Sequence, residues 1–264
     1  MLDRPPVFVD PLATALLSDE ARAALAADPR LRNRPGVEYL RAFLAVRSRI
    51  AEDRLADAFA AGVRQYVLLG AGLDTFAHRN PFAGLRVFEV DHPKTQAWKR
   101  ERLKAAGLAE PPTVTYVPVD FHDHELAREL AQHGFDGAQS AAISWLGTVP
   151  YLETPAVWAT LEWAASVVGE SGHIIFDYGH RPRWWQLRQR LALWMLGARV
   201  KRAGEPFRTT FEVDTLRRRL QAIGFTVVED LDASAINPRY FAARADGLRV
   251  GAVGHVVIAS RRTS

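Results

Sequence analysis

At 264 residues, with no cysteine, 34 cationic and 30 anionic side chains and a formal net charge of +4, the chain suits one domain spanning residues 1–264. The lack of cysteine excludes disulfides, zinc–thiolate sites and cysteine nucleophiles, and fits a cytoplasmic protein. The nearly balanced charge and missing aromatic-rich motifs give no sign of nucleic acid, no apolar run reaches the ~18 residues of a membrane span, and no signal-peptide pattern opens the chain.

In chain order, Asp10 as N-cap and Pro11 in first position predict a helix over Pro11–Ala27, ended by Asp28-Pro29. Arg30–Pro35 reads as a basic loop. A long helix follows over Val37–Ala61, with Leu40, Phe43, Leu44, Leu55 and Phe59 on its apolar side and Gly62 closing it. Strands are then expected at Gln65–Leu69, Leu85–Val90, Val114–Val119, Ala141–Trp145 and His173–Asp177. Helices over Pro93–Ala106, Asp123–His133 and Thr154–Val168 separate them. That alternation implies an α/β fold, a Rossmann-like parallel sheet with helices on both faces. A helix over Glu212–Ile223, a strand at Phe225–Glu229 and a last strand at Gly254–Ala259 complete the reading.

The segment Arg181–Arg202 breaks the alternation. It holds seven Arg or Lys residues and no acid, with Trp184, Leu187, Leu191 and Trp194 at helical spacing. Three readings stand: a helical cap (181–210) over an apolar acceptor, a membrane-surface or partner helix, or a helix with an ordinary buried face.

The strand Gln65–Leu69 runs into Gly70-Ala71-Gly72, and Asp91 ends the next strand 19 residues after Gly72. A glycine turn after a buried strand, with an acid about 20 residues on, suits a nucleoside-containing cofactor whose ribose the acid binds. A dinucleotide site would place a third glycine where Thr75 stands. Its absence tilts the choice from NAD or FAD towards a cofactor without phosphates, S-adenosyl-L-methionine. An oxidoreductase, and a cofactor-binding domain with a partner or sensor role, are the alternative readings.

Gly70-Ala-Gly-Leu-Asp-Thr75 and Val87-Phe-Glu-Val-Asp-His-Pro93, with Lys99 following, resemble the leucine carboxyl methyltransferase-like family. Asp10-Pro-Leu-Ala13, Ser144-Trp-Leu-Gly-Thr-Val-Pro-Tyr-Leu152 and Arg239-Tyr240 extend the resemblance over nearly the whole chain. It implies a class I methyltransferase with a seven-stranded sheet whose last strand is antiparallel. It also implies O-methylation of a small-molecule carboxylate or hydroxyl, with a polyketide or other secondary metabolite as acceptor. The family places a longer helical segment before Asp10, where this sequence shows only Met1–Val9; Arg181–Arg202 is the candidate replacement.

For the cofactor, the candidate residues are Gly70, Ala71 and Gly72 at the methionine part, Asp91 at the ribose, and Asp120 with Phe121 at the adenine. Arg47, with Arg49 second, matches a family arginine that meets the cofactor carboxylate and helps hold the acceptor; its fork suits a carboxylate. Trp145 and Leu146 follow the fourth strand, and Leu146 stands where many relatives have a glutamate. Tyr151 matches a tyrosine placed near the acceptor. His180, like His78, is a candidate base for a hydroxyl acceptor, which a carboxylate acceptor would not need. His122, Asp123 and His124 alone do not assemble a metal site, and no metal is expected.

Overall fold

A computed structural model describes residues 5–27, 37–121, 125–180 and 207–261. The order of elements is α1 (Asp19–Ala27), α2 (Val37–Ala60), β1 (Gln65–Leu69), α3 (Phe76–Arg79), β2 (Arg86–Asp91), α4 (Pro93–Ala105), β3 (Val114–Pro118), α5 (Leu126–Gln132) and β4 (Ala141–Trp145). A 3-10 turn (Val149–Tyr151), α6 (Thr154–Val167), β5 (His173–Gly179), α7 (Val213–Ala222), β6 (Val227–Leu231), α8 (Ala233–Tyr240) and β7 (Gly254–Ser260) follow.

The strands form one seven-stranded sheet in the order β3-β2-β1-β4-β5-β7-β6. β1 to β5 are parallel, and β7 runs antiparallel to both β5 and β6. β1 and β4 lie at the centre, and every one of their residues is buried. That accounts for their continuous apolar runs without polar alternation. On one face the sheet packs against α5, α6 and α7 through Leu126, Leu130, Val157, Leu161, Leu216 and Leu220. On the other, α2 crosses the sheet: its Ala42, Val46 and Ile50 pack with β5, β7 and α8, and its Leu55 and Ala58 with β1, β2 and α3.

Several expected elements shift. The first helix spans Asp19–Ala27 only. Asp10 Oδ1 does accept the Leu12 and Ala13 N–H groups, but it caps a turn, while Ser18 Oγ caps the helix by accepting from Ala21. On α2 the expected apolar side is displaced: Leu40 and Leu44 are 38% and 41% exposed, and the buried stripe is Ala42, Val46, Ile50, Leu55 and Ala58. The helix expected from Asp123 begins at Leu126, and residues 122–124 lie outside the described residues, as do the basic loop 30–35 and the Arg181–Arg202 segment. β6 begins two residues later than expected, because Phe225 is buried in the turn that closes α7, its N–H donating to Leu220 O at 3.2 Å. α8 was not expected. α8 starts on Asp232, whose Oδ1 accepts from Ser234 and Ala235 N–H at 2.9 and 3.1 Å.

Candidate active site

The glycine turn sits at the carboxyl end of β1, between β2 and β4. Gly70 and Ala71 donate their N–H groups to Val90 O at 2.8 and 3.1 Å, so the turn folds back over β2. Gly72 then donates to Asp91 Oδ2 at 2.6 Å, while Asp91 Oδ1 accepts from His92 N–H at 2.7 Å. Two backbone donors therefore hold the half-buried carboxylate in place, and each oxygen keeps acceptor capacity for another hydroxyl. The two glycines do different work. A Cβ on Gly70 would lie 2.1 Å from Thr148 Oγ1, so the chain itself fills that space. A Cβ on Gly72, at φ +45°, would meet nothing nearer than Gly70 O at 3.9 Å, leaving open space above the turn. Thr75, in the place of a third glycine, is buried and its Oγ1 accepts from Arg79 Nε at 2.9 Å. That contact ties the junction to α2, since Arg79 pairs with Glu52.

Asp120 and Phe121 follow β3 at the same edge, half-buried, and line a cavity of about 80 Å³ with Leu126, Ala156, Thr160 and Trp163. The Phe121 ring stacks on Trp145 at 6.2 Å between centroids. Trp145 is fully buried beneath it, against Phe176, and its Nε1 has no hydrogen-bond partner among the described residues. Its side chain therefore belongs to the core, and its backbone ends β4 at the sheet edge. Leu146 is half-buried and packs against the apolar cluster of Val46, Ile50, Ile175 and Val256 under α2.

Arg47 reaches from α2 to the ends of β4 and β5. Its Nη1 donates to Asp177 Oδ2 at 2.8 Å, with the two side chains 18% and 6% exposed. Asp177 Oδ1 in turn accepts the Gly147 N–H at 2.5 Å. Gly147 has φ +75°, and a Cβ there would lie 2.8 Å from Arg47 Nη2. Asp177, which the motifs did not reveal, therefore locks the guanidinium and the turn after β4 into one unit. Arg49 points elsewhere: it pairs with Asp53 at 2.7 Å on the exposed side of α2, and so is not part of the site.

Tyr151 lies in the 3-10 turn after β4, half-buried, its ring 5.6 Å from that of Phe207. His180 follows β5 and is held by its N–H to Val253 O at 3.0 Å, with its ring 5.0 Å from His255. His78 sits apart on α3, where burial, ahead of the Lys99 charge, lowers its pKa. Together the carboxyl ends of β1 to β5 bring Gly72, Asp91, Asp120, Arg47, Tyr151 and His180 to one edge of the sheet. In open α/β sheets this edge, where the strand order reverses between β1 and β4, is the ligand crevice. The open space over Gly72 and the fixed carboxylate beside it suit the ribose and methionine parts of S-adenosyl-L-methionine.

Among the described residues no helix is long and apolar enough to cross a membrane. Residues 2–165 match the leucine carboxyl methyltransferase family. A Bacillus subtilis protein named as an S-adenosyl-L-methionine-dependent methyltransferase, YktD, is 30% identical over 82% of this chain and 71% of its own length. A Mycobacterium avium protein of the same designation is 33% identical over 69% of this chain and 59% of its own length. The chain thus spans somewhat over half of some relatives. Among solved structures, a methyltransferase from Thermobifida fusca aligns over 99% of this chain and 97% of its own, with TM-score 0.58 and 20% identity. Magnesium protoporphyrin IX methyltransferase from Synechocystis, solved with S-adenosylhomocysteine, aligns over 85% of each chain with TM-score 0.53 and 13% identity. These two likenesses carry the fold, and the sequence matches carry the family: the chain belongs to the leucine carboxyl methyltransferase family of S-adenosyl-L-methionine-dependent methyltransferases.

Proposed function

We propose that the enzyme methylates an oxygen, carboxylate or hydroxyl, of a small molecule, with a polyketide or other secondary metabolite as the acceptor class that the family resemblance favours. The observation that carries this reading is a juxtaposition along one sheet edge. The Gly72–Asp91 corner lies over β1 and β2, and a rim of polar side chains, Arg47, Tyr151 and His180, lies over β4 and β5. Strands lie ~4.8 Å apart, so β5 is roughly 10 Å from β1, about the reach of a cofactor's methionine arm. When bound, the cofactor supplies a methyl group already activated by the sulfonium charge. The chain's task is then alignment, which Arg47 and Tyr151 serve by hydrogen bonding to the acceptor.

The test uses the full chain, S-adenosyl-L-methionine labelled in its methyl group, and a panel of phenols, alcohols and carboxylic acids. Label should pass to a small molecule. Alkali releases labelled methanol from a methyl ester and leaves a methyl ether intact, which separates the two acceptor classes. Label appearing only in nucleic acid or added protein would contradict the reading.

A further inference from the structure

The first ten residues of α2, Val37-Glu-Tyr-Leu-Arg-Ala-Phe-Leu-Ala-Val46, hold eight apolar side chains and two charged ones, Glu38 and Arg41. A helix apolar all round is ordinarily buried all round. Here one side is not. Ala42 and Val46 are fully buried, in a cluster with Val7, Phe241, Leu248 and Val250. Leu40 and Leu44, on another side, are exposed. With Arg47 they recur at i, i+4 and i+7, which is one stripe of the helix, and the Arg47 end of that stripe meets Asp177.

The reason lies in relative length. α2 ends just before β1 begins, so it runs back against the strands, and its 24 residues span about 36 Å where the five of β1 span about 17 Å. Its N-terminal turns therefore pass beyond the carboxyl ends of the strands. Two contacts mark the crossing. Arg47 meets Asp177, near the end of β5, and the Phe43 ring lies 2.7 Å from where a Cβ on Gly254 would stand, at the start of β7. Gly254 pairs with Gly179, the last residue of β5. Leu44 and Leu40 follow Arg47 outward, roughly 5 and 10 Å along the helix axis. Where the sheet underlies the stripe, Ala51 is buried; beyond it the leucines are exposed at the crevice. At the inner end, Arg47 Nε is buried with no hydrogen-bond partner among the described residues, a donor at the foot of an apolar track.

We infer that Leu40 and Leu44 are specificity-determining residues, and that the methyl acceptor is an amphiphile: its oxygen-bearing head lies by Arg47 and its hydrocarbon chain runs outward along α2. This rests on the oxygen-methylation reading and deepens it by naming the substrate class. Apolar surface left exposed beside a few convergent polar groups is the usual make-up of a ligand site. The size of the patch selects the occupant. Two leucines at about two-fifths exposure supply far less than the ~800 Å² per partner of a stable protein interface, but they match the width of one hydrocarbon chain.

The probes are the straight-chain carboxylic acids from hexanoic to dodecanoic acid and para-alkylphenols with the same chains, titrated by calorimetry into the full chain saturated with S-adenosylhomocysteine. In at least one series affinity should rise about two- to threefold per methylene, the gain from partly burying each group, and level off once the chain has passed Leu40. Leu40→Gln combined with Leu44→Gln should flatten that slope; both positions are exposed, and glutamine keeps the helix propensity. Should the double variant not fold, Leu44→Gln alone should lower the slope. No binding in either series, an affinity independent of chain length, or a variant slope equal to that of the wild type would overturn the proposal. So would a wild-type dimer in light scattering that the variant converts to monomer, which assigns the leucines to a second copy of the chain. The two levels stay separable. A wild type that does not bind S-adenosylhomocysteine defeats the methyltransferase site itself, whereas cofactor binding and methyl transfer to short acids or phenols with a flat slope defeat only the acceptor class.

Discussion

Asp177 shows how one side chain can decide the properties of its neighbours. It accepts from Arg47 at 2.8 Å and from the Gly147 N–H at 2.5 Å, so half of the guanidinium fork is already engaged within the chain. An arginine held this way presents its remaining edge in a fixed direction, and lysine cannot reproduce that geometry. Arg47→Lys should therefore lower methyl transfer at least tenfold while changing the melting temperature little. Equal activity would remove Arg47 from the site. Gly147→Ala is expected to destabilise by about 1–2 kcal/mol, the cost of a side chain in left-handed backbone, and to push Arg47 aside. Chemical denaturation with parallel activity measurement checks both effects. Gly70-Ala-Gly72 and Asp91 were legible in the sequence, because turn chemistry and spacing are local. Asp177 was not: its two partners lie 130 and 30 residues away, and no pattern links them. Trp145 was legible as the end of the fourth strand, but not the turning of its ring into the core, which strand alternation sets.

Between elements, α4 is fastened to β2 by a buried ion pair, Lys99 Nζ to Glu89 Oε2 at 2.6 Å, with the side chains 2% and 1% exposed. Gln96, one turn earlier on α4, bonds Glu89 O and Val117 O, each at 2.9 Å, and so spans β2 and β3 directly beneath Asp91. Lys99→Met leaves a buried carboxylate unpaired and should cost about 3–5 kcal/mol in a urea melt. Adding Glu89→Gln should recover most of it; no recovery would mean that packing, not charge, carries the loss. Burial, the largest influence, pushes Glu89 up to about 7 from an ordinary 4.5, against the pull of Lys99. The folded chain then holds this proton more tightly than the unfolded chain does, so stability falls as pH rises through that window. Glu89→Gln should flatten the trend, and an unchanged slope would assign it to other groups. Elements were legible where burial was two-sided. β1 and β4 keep the bounds expected for them, Gln65–Leu69 and Ala141–Trp145. β6 and α1 drifted, since a half-exposed strand and a turn capped by Asp10 carry weaker signals than the core.

At the scale of the whole molecule, the sheet order β3-β2-β1-β4-β5-β7-β6 puts the candidate cofactor and acceptor residues on one edge. A ligand that binds only the folded chain stabilises it by mass action, about 2.7 kcal/mol at 100 times its dissociation constant. S-adenosylhomocysteine should raise the melting temperature accordingly, and NAD should not. The most direct test of the site is calorimetric titration of S-adenosylhomocysteine into the wild-type chain and into Asp91→Ala. The wild type should bind one molecule, and the variant should lose about 1–3 kcal/mol of affinity with its fold intact, the cost of leaving ribose hydroxyls without their acceptor. A folded variant that binds as tightly as the wild type, or a wild type that binds NAD in place of S-adenosylhomocysteine, would contradict the account.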